Sequence, residues 1–332
     1  MSALPSRLLI DLATRCNLRC PMCSVWGDEE VARGVKGVMP QTLLRAILSD
    51  VVQSGSRSMM VQPSLWGEPL VAPKWRESLC AMSAAGLAIA LNTNALTLDE
   101  AACEFLCDLP VASVFISIDA WAPETFAKTR GLDALERVEE AVTRILRVRG
   151  TRVLPRIGVS FVRQPANESE EMPFVHKWLP LVDVVRVSAL FVDGTFVNAR
   201  NVPSQRTPCP LLWETLPVHN TGKCTICCLD AERATDMGNI ADGISAVWNG
   251  ASFEAARAAH RANDYTAAPF CAPCNGWAQA ERHTREEMRI VAGVDVLYRY
   301  NAIYEYYNRI DALENWLEVL MRTDKERPSD DL

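Results

Sequence analysis

The sequence predicts an α/β protein: a partial, TIM-like (β/α)6 barrel, then a small cysteine-rich module, then C-terminal helices. Three observations predict it. Six short aliphatic runs alternate with longer helix-patterned stretches between residue 8 and about residue 195, and such alternation builds a parallel sheet with helices outside. The chain of 332 residues is long enough for one large domain and a smaller one. The alternation then stops at a polar linker, Ala199 to Pro208, beyond which lie six of the twelve cysteines.

In chain order, strands are predicted at 8–12, 58–62, 88–92, 113–118, 156–161 and 184–189, and helices at 41–54, 75–85, 98–107, 132–149 and 173–179. Six units are too few for a closed eight-stranded barrel, so the sheet should be open. In such sheets chemistry collects at the C-terminal ends of the strands, which makes any motif directly after a strand a site candidate. The expected divisions are 1–198 for the barrel, 199–277 for the module and 278–332 for a helical extension. The module is loop-rich and should need metal to hold together. Over 278–322 an amphipathic helical pattern is expected, with Tyr298, Tyr300, Tyr304, Tyr306, Tyr307 and Trp316 packing on the barrel or on a partner subunit of a homodimer. The polar tail from Lys325 should be disordered.

Composition excludes several classes. A net charge of −7 with no basic stripe argues against nucleic acid as a partner. No run of about 18 uncharged apolar residues exists for a membrane span, and the N-terminus has no basic segment leading into a long apolar one. A cytoplasmic location is expected, where clustered cysteines more often hold metal than form disulfides.

Cys103 and Cys107 are four apart in helix-patterned sequence and read, with Cys80, as core thiols. Cys16, Cys20 and Cys23 differ. Spaced four and three apart on a loop directly after the first strand, they can hold three irons of a cubane cluster and leave the fourth iron open. Zinc knuckles pair cysteines two apart and need a fourth ligand, and no histidine is near. After the second strand, Gly67 allows a close backbone approach and Glu68 offers an acceptor for an ammonium. By spacing alone, Cys224-x2-Cys227 and Cys271-x2-Cys274 fit a zinc ribbon as well as a cluster. Asn92, Asn94, Ser117 and Asp119, by themselves, read as polar caps on strand ends.

Cys16-x3-Cys20-x2-Cys23 behind a first strand resembles the radical S-adenosylmethionine (radical SAM) superfamily. The resemblance implies a 4Fe–4S cluster on these three cysteines, whose open iron chelates SAM and whose electron releases a 5′-deoxyadenosyl radical. Trp66-Gly67-Glu68-Pro69 resembles the family's Gly-Gly-Glu-Pro loop, with Trp66 in place of the first glycine. The resemblance implies SAM contacts at Gly67, Glu68 and Pro69, at Asn92 and Asn94, at Ser117 and Asp119, and at Arg130. The segments around Cys209, Gly222, Cys227-Cys228-x-Asp230, Gly238-Asn239-Ile240, Trp248-Asn249 and Cys271-x2-Cys274 resemble the auxiliary-cluster modules called SPASM and twitch. No cysteine follows Cys274, which implies the shorter twitch form. It implies one auxiliary 4Fe–4S cluster on Cys209, Cys227, Cys271 and Cys274, with Cys228 as the alternative to Cys227. The expected reaction is that of aminocyclitol dehydrogenases of antibiotic biosynthesis: oxidation of an alcohol on a sugar or aminocyclitol, with the auxiliary cluster as electron acceptor. An epimerase using Cys228 or Cys224 as hydrogen donor is the alternative, and a ribosomal-peptide maturase the third reading. Arg156, Arg163 and Arg186 are the candidate bases for the hydroxyl proton, and each also reads as a salt-bridge or substrate-anchor residue. A flavodoxin or ferredoxin would supply electrons.

Overall fold

The computed structural model describes residues 4–55 and 59–313. Ser58, Trp316 and the tail from Lys325 lie outside the described residues. Strand β1 (Arg7–Ile10) leads into a two-residue ribbon, β2 (Ala13–Thr14) with β3 (Gly37–Val38). The barrel continues with β4 (Met60–Gln62), β5 (Ala88–Thr93), β6 (Val111–Ser117), β7 (Arg156–Arg163) and β8 (Val184–Val192), each paired in parallel to the one before it. These are the six predicted strands, displaced by no more than a few residues. Each is a run of aliphatic residues whose burial on one or both faces leaves little freedom of register. The helices outside follow the 3.6-residue period. In Gln41–Gln53 the buried residues Leu44, Ile47, Leu48 and Val51 fall on one stripe. Cys103 and Cys107 are buried in the core on helix Glu100–Asp108, as expected of inert thiols, whereas Cys80 is exposed.

Tertiary structure adds strands at both edges. A short β9 (Thr195–Val197) folds back on β8 across Asp193-Gly194. Beyond the linker, β10 (Thr215–Val218) pairs in parallel with the free side of β1. Its Pro217 is tolerated because β10 is an edge strand with a ladder on one side only. The module that begins at Cys209 is thereby stitched to the barrel rather than appended to it.

The expected C-terminal helices are corrected over the described part of that segment. Residues 285–309 form three antiparallel strands, β11 (Arg285–Val291), β12 (Val294–Tyr300) and β13 (Tyr304–Arg309), with β13 joined to β8. Ala292 and Gly293 both have positive φ, 51° and 75°, which is the backbone of a tight primed hairpin turn. The tyrosines alternate along these strands: Tyr298 and Tyr307 are buried, and Tyr298 stacks with Tyr300 at 4.8 Å. The full order is β10-β1-β4-β5-β6-β7-β8-β13-β12-β11. A buried ionic knot pins the added strands. Arg163 at the end of β7 donates to Glu171 at 2.6 Å and to Glu305 of β13 at 2.5 Å, and Tyr298 also donates to Glu305.

Candidate active site

Cys16, Cys20 and Cys23 sit on the loop between β2 and β3, at the C-terminal end of the barrel. The loop is tightly turned: the Cys23 amide donates to the Cys20 carbonyl at 2.9 Å, and the Gly27 amide to the Cys23 carbonyl at 3.0 Å. Donors surround the three sulfurs. The Leu18 amide reaches Cys16 Sγ at 3.4 Å and the Trp26 amide reaches Cys23 Sγ at 3.3 Å. Arg130 Nη1 and Asn94 Nδ2 lie 3.9 Å from Cys20 Sγ and Cys16 Sγ, respectively. Burial nevertheless pushes the Cys16 thiol up to about 12. Deprotonation there needs a cation, which bound iron supplies. Three thiols on one turn amid N–H donors fit a cluster face.

The polar residues at the neighbouring strand ends mostly brace this loop. At Gly67 an added Cβ would fall 2.0 Å from the Ala13 carbonyl oxygen and 2.8 Å from that of Arg15, and the Glu68 amide donates to Arg15 O at 2.7 Å. Glu68, expected to receive an ammonium, is engaged by donors of the protein itself. The side chain is buried, and it accepts from the Leu70 amide, Thr93 Oγ1 and the Asn94 amide at 3.2, 2.6 and 2.7 Å. Pro69 is buried at the start of the following short turn. Asp119 is likewise engaged within the protein. Fully buried with φ of 64°, it holds Arg130 Nη2 at 2.6 Å and accepts from the Val162 amide, so it orients Arg130 toward Cys20. Burial raises the carboxyl pKa of both Glu68 and Asp119, against the pull of these donors. Asn94 donates to Asn17 at 2.7 Å, and Ser117 accepts from Ser160 at 3.4 Å. Replacing Gly67 by alanine should therefore displace the WGEP loop from the cluster loop. A loss of about 1–3 kcal/mol in stability is expected, together with loss of SAM binding, measured by thermal unfolding and calorimetric titration.

Inside the barrel lies a cavity of about 870 Å³ whose wall includes Gln62, Leu65, Trp66, Asn92, Arg186, Ser188, Cys228, Leu229 and Tyr304. Arg186 Nη2 donates to Asn92 Oδ1 at 3.2 Å, and the guanidinium lies 4.5 Å over the Phe115 ring. Of the three arginines expected to offer a base, Arg163 is excluded because both carboxylates of the buried knot engage it. Arg156, at the start of β7, also lines the cavity, where it donates to Asn308 Oδ1 at 2.8 Å. Arg186 faces the cavity as well, and for both residues a guanidinium stays protonated and can hold an oxygen rather than take its proton. Tyr304, expected only as a packing residue of a helix, is on a strand and lines the cavity. Trp66, which replaces a glycine of the familiar loop, lines the same wall.

A second, smaller cavity is lined by Cys209, Cys227, Cys271 and Cys274. The three candidates Cys224, Cys227 and Cys228 are sorted by their directions. Cys227 faces this cavity, Cys228 faces the barrel lumen 4.0 Å from it, and Cys224 is fully buried in the hydrophobic core. Cys224 is thus corrected as a hydrogen donor, since its thiol points at the Gly222 carbonyl. Four thiols around a cavity suit a cube of iron and sulfur. Leu211, Leu229 and Gln279 border both the cluster cavity and the lumen.

Residues 10–159 match the radical SAM superfamily, and residues 209–275 match an iron–sulfur cluster-binding domain, SPASM. A curated protein of Pyrococcus furiosus, "Tungsten-containing aldehyde ferredoxin oxidoreductase cofactor-modifying protein", is 29% identical over 189 residues, 55% of this chain and 51% of that protein. The chain thus spans about half the length of that relative. Among solved structures, BtrN in complex with AdoMet and 2-DOIA aligns with a TM-score of 0.52 at 16% identity, over 82% of this chain and 93% of BtrN. Streptococcus suis SuiB bound to its precursor peptide SuiA aligns with a TM-score of 0.58 at 13% identity, over 76% of this chain and 67% of SuiB. At these identities the two likenesses establish the fold. The two domains imply SAM, a 4Fe–4S cluster and auxiliary iron–sulfur ligation.

Proposed function

We infer that this radical SAM enzyme, with its SPASM domain stitched to the barrel edge, oxidises an alcohol on a sugar or aminocyclitol to a ketone. The observation that carries this reading is the cavity formed by Cys209, Cys227, Cys271 and Cys274, which shares Leu211, Leu229 and Gln279 with the polar lumen. Four protein thiolates leave no iron open, so one auxiliary cluster there serves electron transfer rather than substrate binding. Cys16, Cys20 and Cys23 would hold the cluster that with SAM would supply a hydrogen-abstracting radical, and Cys209, Cys227, Cys271 and Cys274 would hold the cluster that would supply a one-electron acceptor.

The chain's own residues orient the substrate and shield the site. Arg186, held by Asn92 and by the face of Phe115, binds the substrate oxygen and stabilises the negative charge that grows as its proton departs. Gln62, Ser188 and Tyr304 give the lumen further hydrogen-bonding groups, and Trp66 and Leu229 give it apolar wall. The fold shared with BtrN, solved with 2-DOIA, supports a substrate of the aminocyclitol class. Reducing equivalents come from a flavodoxin or ferredoxin.

Cys228 favours a second reading, epimerisation, because its thiol lies on the lumen wall. Anaerobic turnover in D2O with a panel of aminocyclitols separates the two. Dehydrogenation should give ketone and 5′-deoxyadenosine in equal amounts, with no deuterium gained at the carbinol carbon. Cys228→Ala should then lower the rate by less than about tenfold, an effect of less than about 1.4 kcal/mol. Deuterium fixed at carbon without a carbonyl product, and abolished by Cys228→Ala, would instead establish epimerisation.

A further inference from the structure

One buried side chain on the wall of the four-thiol cavity has no part in the chemistry above. His260, on helix Ala251–Ala262, lines that cavity and is 2% exposed. The backbone N–H of Cys209 donates to its Nδ1 at 3.2 Å. A ring nitrogen that accepts carries no proton, so the imidazole is neutral and its single N–H is at Nε2. That nitrogen is buried without a protein acceptor, a costly state for a donor. The ring cannot turn freely, since Tyr265 packs edge-on against it at 4.9 Å. Arg206 lies over the Tyr265 ring, 3.8 Å from its centroid, and borders the same cavity, where it donates to the carbonyls of Cys271 and Ala272.

We propose that His260 Nε2–H donates a hydrogen bond to a sulfur of the auxiliary cluster, and that Arg206 adds a fixed positive charge on the same wall. The inference rests on the reading that Cys209, Cys227, Cys271 and Cys274 hold one cluster. The amide of Cys209, one of those four ligands, fixes the donor tautomer of His260. The hydrogen bond is therefore in place only when the ligand loop is in register. A donor to sulfur and a nearby cation both stabilise the more negative, reduced cluster and so raise its reduction potential. An electron acceptor needs that shift, whereas a cluster that only held the fold together would not. His260 is a positioning residue for electron transfer, acting through the cluster rather than on substrate.

The test uses the full chain carrying C16A, C20A and C23A, reconstituted anaerobically with iron and sulfide, so that only auxiliary iron remains. The readouts are iron content, the midpoint potential from an EPR-monitored titration, and exchangeable proton couplings by pulsed EPR in H2O and D2O. In this background H260F should keep about four irons, shift the potential to a more negative value and lose one exchangeable coupling. H260Q, whose amide can accept from Cys209 and still donate, should restore both. An H260F protein that holds its iron with potential and couplings unchanged overturns the proposal and leaves the cluster reading standing. Should H260F fail to hold iron, the parent decides: an exchangeable coupling assigned to an imidazole N–H supports the proposal, and its absence overturns it. A parent that binds no iron overturns the cluster reading and this proposal with it.

Discussion

Replacing Cys16, Cys20 and Cys23 together by alanine should halve the iron of anaerobically reconstituted protein, from about eight to about four per chain. SAM cleavage should fall below detection. The three sulfurs share one turn and a common set of donors, including Arg130 and Asn94. Removing them deletes one cluster face without touching the thiols of the four-cysteine cavity. Iron and acid-labile sulfide counts with a 5′-deoxyadenosine assay measure both effects. About four irons with stoichiometric zinc before substitution would make the Cys209–Cys274 module structural. The dehydrogenase reading would then lose its electron acceptor, and epimerisation through Cys228 would take its place.

The largest effect on stability is expected from Arg163→Leu. Arg163 is 2% exposed and holds Glu171 and Glu305, themselves buried, so its removal leaves the two carboxylates with the partly exposed Arg200 as their remaining cationic partner. Breaking a buried ion pair from one side costs about 3–5 kcal/mol, measured here by urea unfolding. The loss should be smaller when Glu171→Gln accompanies it. The pH profile gives a second check. Burial works to raise the Glu171 pKa, but the hydrogen bonds and charge of Arg163 and Arg200 outweigh it and hold the carboxyl below its usual value. A depressed carboxyl contributes stability that is fully present above its unfolded pKa, about 4.3, and is lost as pH falls through the lower folded value. Arg163→Leu should therefore flatten the stability profile between about pH 5 and pH 3. An unchanged slope there would place the stabilising charge elsewhere.

Much of the barrel is legible in the sequence because its strands are short aliphatic runs buried in a parallel sheet, and such runs have few alternatives. The strands that were missed have ordinary physical reasons. Thr215–Val218 carries Pro217, which argues against a strand until its place at a sheet edge is known. The C-terminal hairpin turns at Ala292-Gly293 rather than at an Asn-Gly pair, and its tyrosines can be fitted to a helical stripe as readily as to a period of two. Lacking that hairpin, the reading could not bring Tyr304 to the lumen or Glu305 to Arg163.

The candidate site divides along the same line. Covalent spacing fixes how far apart Cys16, Cys20 and Cys23 can be, so the sequence by itself determines that they share one tight loop and can face one cluster. The side-chain directions of Cys224, Cys227 and Cys228 depend on a hairpin whose bends are set by the packing around it. Tertiary structure alone sends one to the core, one to the four-thiol cavity and one to the lumen. It also decides which backbone amides meet Glu68 and Asp119 and that Asp119 holds Arg130. A carboxylate's role follows from the donors that surround it when folded, and those donors come from strands far apart in the chain.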